Sequence, residues 1–148
     1  MKFFTAAALF ASAAVALPTT SECGEVVTIT NYSLRWNFNQ VESVSFKLTG
    51  NNATDLQCTS PSGAIQEIPS PVYTCGDSKY RFGLQPVQSD FDMNNPQYNL
   101  AVYHETGPAV GLYAQTQVPT YCRAGGLSIN DRICDQIPAT WPFNLNCS

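Results

Sequence analysis

His104 is the single histidine of the chain, and it stands beside Glu105. An imidazole next to a carboxylate can move protons, but hydrolysis also needs an activated nucleophile or a metal-bound water. No serine lies in a nucleophile-elbow motif, and no cysteine is expected to be free. His104 therefore reads as a surface or hydrogen-bonded residue. Asp90 and Asp92 are two apart, so a strand would point both carboxylates to one face. Paired carboxylates of that kind cut glycosides. Their neighbourhood, Asn94-Asn95-Pro96, reads instead as a solvated loop edge, with too few flanking oxygens for calcium. No catalytic, metal-binding or cofactor-binding residue is assigned, and no cofactor is expected.

Trp36 and Trp141, with seven tyrosines and eight phenylalanines, supply rings that can stack on a flat phenolic ligand or line an apolar pocket. Most such rings pack in a core. Three N-x-S/T sequons occur. Asn52-Ala53-Thr54 falls in a turn and is the favoured glycan site. Asn31-Tyr32-Ser33 is second. Asn146-Cys147-Ser148 is poor, because its central residue belongs in a disulfide.

The elements that must position these residues read as strands. Val44, Phe46 and Leu48 alternate with polar residues, as do Tyr80, Phe82 and Leu84. Period two continues from Leu112 to Val118, from Tyr98 to Tyr103 and from Trp141 to Leu145, and Val26 to Thr30 is rich in β-branched residues. Gly50-Asn51-Asn52, Pro61-Ser62-Gly63, Pro69-Ser70-Pro71, Gly76-Asp77, Gly107-Pro108 and Gly125-Gly126 punctuate these runs as turns. Short strands at this spacing suggest an all-β barrel or sandwich with little helix. The best helical candidate is Asn130 to Gln136, where Ile129, Ile133 and Ile137 recur at intervals of four.

Residues 1–16 read as a secretory signal peptide. Met1-Lys2 is basic, Phe3 to Val15 is uncharged and apolar, and Ala14-Val15-Ala16 offers small residues for cleavage after Ala16. Residues 17–148 are then one domain, exported to the extracellular space, with no later run long enough for a membrane span. The net charge is −4 and becomes −5 once Lys2 leaves, which speaks against nucleic acid and anionic membranes as partners. Cys23, Cys58, Cys75, Cys122, Cys134 and Cys147 form an even set, and in an oxidising compartment they read as three disulfides. Zinc would want closely spaced cysteine pairs with histidine. Spacing alone does not choose the pairing.

Tyr121-Cys122-Arg123-Ala124-Gly125-Gly126, followed by Asp131-Arg132-Ile133-Cys134, resembles the Alternaria major allergen family of small secreted fungal proteins. Phe46-Lys47-Leu48, Leu56-Gln57-Cys58-Thr59 and Tyr73-Thr74-Cys75-Gly76 fall in the family's order. The resemblance runs from about Val26 to Gln136. It implies a compact antiparallel β-barrel with the pairs Cys58–Cys75 and Cys122–Cys134, each stabilising by roughly 3 kcal/mol on the loop-entropy model. Gly125-Gly126 then lies inside the second loop, where a positive φ would need a residue without Cβ. Arg123 is expected to donate to that loop's carbonyls.

The resemblance also implies function: a secreted effector or elicitor, or an allergen-like protein, that binds a host plant defence protein or a flavonol-type phenolic and is not an enzyme. The competing expectations are a secreted hydrolase using Asp90, Asp92 or His104, and a structural protein of the cell wall or spore. In the family's founding allergen an N-terminal cysteine, matched here by Cys23, links two subunits. This chain has the additional Cys147. Pairing Cys23 with Cys147 within one chain predicts a monomer, or at most a non-covalent dimer. Non-reducing electrophoresis should show a monomer, and a covalent dimer would overturn that pairing.

Overall fold

In the computed structural model, which describes residues 24–147, the first strand changes partners halfway along. β1 (Gly24–Asn37) pairs through Gly24–Ile29 with the last strand, β10 (Trp141–Cys147). From Ser33 to Trp36 it pairs with β9 (Arg132–Gln136). The exchange occurs at Asn31, which adopts φ 54° at a shift in register against β2 (Gln40–Gly50). Asparagine enters this left-handed region more easily than most residues, and the bulge moves the side-chain alternation by one. Val27 and Ile29 are therefore buried before it, and Tyr32, Leu34 and Trp36 after it. One strand thus feeds the same core from odd positions and then from even ones.

β2 returns through the two-residue turn Phe38-Asn39, where both residues have positive φ, as the right-handed twist of a hairpin favours. β3 (Ala53–Thr59) follows β2. β4 (Tyr73–Thr74), β5 (Tyr80–Gln85), β6 (Asn99–Gly107) and β7 (Val110–Thr116) form the opposite wall, and β8 (Thr120–Ala124) pairs only with β9. The antiparallel path runs β3-β2-β1-β10-β7-β6-β5-β4. It curls into a nearly closed all-β barrel, as the strand-rich sequence and the resemblance imply.

The interior is filled by the predicted alternating faces. Val44, Phe46 and Leu48 from β2 meet Tyr80, Phe82 and Leu84 from β5, all essentially inaccessible to solvent. Phe46 and Phe82 meet edge to face at 5.0 Å across the barrel.

No backbone ladder joins β3 to β4. The Cys58–Cys75 disulfide bridges that seam, with Cα atoms 4.3 Å apart. Residues 60–72 strap it. Ser60 donates its N–H to Val44 O and accepts the Val44 N–H on Oγ, at 2.9 and 3.1 Å. Ser70 does the same with Leu84, at 2.9 and 2.8 Å. Two buried serines thereby satisfy main-chain groups that a neighbouring strand would otherwise have taken.

The second disulfide, Cys122–Cys134, links directly opposed residues of β8 and β9. Cys147 is also disulfide-bonded. The expected Cys23–Cys147 pair and the signal peptide involve Cys23 and residues 1–16, which lie outside the described residues.

The expected helix at Asn130 to Gln136 is not formed. Residues 132–136 are strand β9, held between β1 and β8. An interval of four also fits a period of two, and Ile129 and Ile137 are 87% and 66% exposed, so no buried helical face exists. No helix occurs among the described residues.

Replacing both Cys58 and Cys75 by alanine should lower the unfolding free energy by about 3 kcal/mol, measured by guanidinium titration. A loss well under 1 kcal/mol would show that the strap and core close the seam unaided.

Candidate functional site

The two ends of the barrel are chemically different. At one end the β1–β2 hairpin, the strap and the loop between β5 and β6 enclose a cleft of about 530 Å³. Trp36 forms its wall from β1 and is only 1% exposed. Phe91, from the loop, lies 5.7 Å from the Trp36 ring and 6.1 Å from Tyr98. Val41 and Ile65 add apolar surface, and Gln40 and Gln97 add polar groups. The volume and the mixture of rings with a few polar groups suit a small flat ligand.

The Trp36 indole Nε1 is buried and has no hydrogen-bond partner. Burial raises the Tyr98 phenol pKa, and the nearby indole N–H opposes that rise. The pair nevertheless falls short of hydrogen-bond geometry.

At the other end, Glu25 holds a buried polar cluster. Its Oε1 accepts from the Tyr80 hydroxyl at 2.5 Å and from the Asn51 N–H at 2.6 Å. Its Oε2 lies 2.5 Å from His104 Nδ1. The His104 and Tyr80 rings stack at 4.0 Å. Burial, then the bond to Glu25, pushes the Tyr80 pKa up to about 12. Gly50 is required here, because a Cβ would overlap Glu25 Oε1 and the Tyr80 hydroxyl. The cluster ties β1 and the β2–β3 turn to β5 and β6, spanning the same seam as the disulfide.

His104 is thus hydrogen-bonded, as one of its sequence readings had it, but to a residue 79 positions away. Its neighbour Glu105 faces outward and pairs with Arg81 at 2.8 Å. No local pattern in the sequence marks Glu25 as the partner. The only hint was a charged residue at an alternating position just before Val27.

Asp90 and Asp92 lie exposed in the β5–β6 loop, not on a strand. Asp92 Oδ1 accepts the Asn94 N–H at 2.8 Å, a local turn contact that matches the loop-edge reading. Phe91, between them, borders the cleft together with Ser89 and Met93 of the same loop, and sequence reasoning passed over it. No group of three or more metal-ligating side chains occurs among the described residues. Asn52 is exposed in the β2–β3 turn, and Asn31 is exposed at the β1 bulge.

Arg123 departs from expectation: it pairs with Asp135 at 3.1 Å across β8 and β9. The loop carbonyls of Ile129 and Asp131 are bonded instead by Arg132. Asp131 organises the loop. It is fully buried, takes both Nε and Nη2 of Arg35 at 3.1 and 2.7 Å, and accepts the Leu127 N–H. A Cβ at Gly125 would overlap its carboxylate, and Gly126 carries φ 91°, so both glycines are needed for backbone reasons.

A small, disulfide-stapled antiparallel barrel with an aromatic cleft at one end and a buried polar clasp at the other defines a class of β-barrel protein. The sequence model of Alternaria alternata allergen 1 matches residues 29–134, and the chain belongs to that family. Its relatives include Effector protein PevD1 of Verticillium dahliae, 37% identical over 141 residues that span 88% of this chain and 84% of PevD1. Major allergen Alt a 1 of Alternaria alternata is 24% identical, over 93% of this chain and 91% of its own length. A crystal structure of Alt a 1 superposes with a TM-score of 0.58 at 22% identity, covering 90% of this chain and 95% of that one, and it shares the fold.

The hydrogen bonds from Arg35 hold the Asp131 carboxyl below its ordinary pKa, aided by the Leu127 N–H and opposed by burial. With the folded value below the unfolded one, this group adds stability above about pH 4, lost as pH falls through the folded pKa. Asp131→Asn should therefore destabilise the protein at pH 7 and flatten the decline in stability below pH 4, read by thermal unfolding across pH. An unchanged acid limb would remove this role.

Proposed function

We propose that this chain is a secreted fungal binding protein of the effector and allergen type, acting outside the cell. It takes a small flat phenolic ligand in the cleft walled by Trp36. The observation that carries this reading is the cleft itself: a preformed space backed by the buried Trp36, in which the partly exposed Phe91 and Tyr98 offer ring faces for stacking. The family assignment supports the effector and allergen character, since relatives bear those names.

The alternative of a hydrolase has little behind it. Asp90 and Asp92 are loop residues in solvent, and His104 Nδ1 is committed to Glu25 beneath the Tyr80 ring.

Titrating the oxidised protein with a flavonol should quench tryptophan fluorescence saturably. Phe91→Ala should weaken the affinity by about three- to tenfold, the range expected for one aromatic contact. Absence of quenching up to the solubility limit would remove the small-ligand reading and leave a host plant defence protein as the partner to seek.

A further inference from the structure

The cysteines leave one half of the barrel wall without a covalent tie. None lies between Cys75 and Cys122, so β5, β6 and β7 carry no disulfide. Two phenols meet there instead. Tyr103 and Tyr113 stand directly opposite each other in the β6–β7 ladder, where same-face side chains approach most closely. Val102 and His104, on either side of Tyr103, are buried, so the phenols lie on the outer face of the sheet. Their ring centroids are 4.8 Å apart with 33° between the planes, the one contact between tyrosine rings among the described residues. Both rings are partly exposed, and they line an open groove of about 770 Å³ with Arg81, Glu105 and Leu112.

We propose that Tyr103 and Tyr113 are an oxidative modification site, joined by a carbon–carbon bond when a peroxidase and hydrogen peroxide act on the protein outside the cell. Each phenol gives up its hydroxyl hydrogen, one electron and one proton, and becomes a phenoxyl radical. The peroxide takes both electrons and both protons and leaves as two waters. The radicals couple through the ring carbons ortho to oxygen, and the two displaced ring protons return to the oxygens, restoring both phenols. The product is a dityrosine staple across β6 and β7 that thiols do not cleave. Proximity selects the pair, because a partner held in contact has an effective concentration far above that of any second molecule. The other tyrosines lack access or a phenol neighbour. Tyr32 and Tyr80 are buried, against Phe46 and His104. Tyr73 packs on Phe82 and Tyr98 on Phe91. Tyr121 is 71% exposed, but no ring lies against it.

The full, disulfide-intact protein should be treated in dilute solution with a haem peroxidase and stoichiometric hydrogen peroxide. The expected product is a monomer lighter by two hydrogen atoms, with the blue fluorescence of dityrosine. After reduction of the disulfides, cleavage on the carboxyl side of Glu105 should leave the Tyr103 and Tyr113 peptides joined. Tyr103→Phe and Tyr113→Phe each keep the packing ring and delete the phenol, so each should lose this monomeric product. Tyr121→Phe should retain it. The mass and peptide map of the unmutated protein decide the matter if a variant fails to fold. A link between any other tyrosines, dityrosine confined to covalent dimers, or no product while N-acetyltyrosine is coupled in a parallel reaction would overturn the proposal.

Discussion

The barrel depends on closing a seam that no β-ladder spans. β3 and β4 end the strand path, and an open edge of main-chain donors and acceptors would invite pairing with other chains. Three interactions of different chemistry occupy the gap. The Cys58–Cys75 bond is covalent. Ser60 and Ser70 anchor the two ends of the strap, each with two hydrogen bonds, to Val44 of β2 and Leu84 of β5 beyond the reach of β3 and β4. Glu25 gathers Tyr80, Asn51 and His104 at the far end. The Phe46–Phe82 contact then packs behind a closed wall.

The strap that closes the seam also builds the cleft. Ile65 donates its N–H to Val41 O at 2.7 Å, which fixes the strap against β2 beside Trp36. Trp36 faces inward only because the bulge at Asn31 shifts the alternation of β1. Without it, the even positions that bury Tyr32, Leu34 and Trp36 would point to the opposite face. Closure, bulge and cleft are thus one construction. The polar clasp lies at one end of the barrel, beside a pocket lined by Tyr80 and His104, and the aromatic cleft lies at the other.

Several parts of this design were legible from residue order. The inward faces of β2 and β5 were written in strict alternation, and the turns at Gly50-Asn51-Asn52 and Gly125-Gly126 in small and turn-forming residues. The Tyr-Cys-Arg-Ala-Gly-Gly block pointed to the family, and through it to both described disulfides. The second half of β1 was not legible, because its bulge interrupts the period that marks a strand. Nor was β9, whose isoleucines at intervals of four satisfy helix and strand patterns alike. Arg132 took the role expected of Arg123, since a one-dimensional reading does not show which guanidinium lies over the loop.

The sequence by itself determined the strand-rich class and, through the family block, the pairs Cys58–Cys75 and Cys122–Cys134. These follow from local periodicity and a short residue pattern, which need no knowledge of what lies across the core. Tertiary structure alone decided that Glu25 meets His104, that Phe91 rather than its flanking aspartates borders the cleft, and that one indole keeps an unmet donor. Each of these is a relation between residues distant along the chain. It is set by sheet order and register, which the spacing of neighbours does not encode.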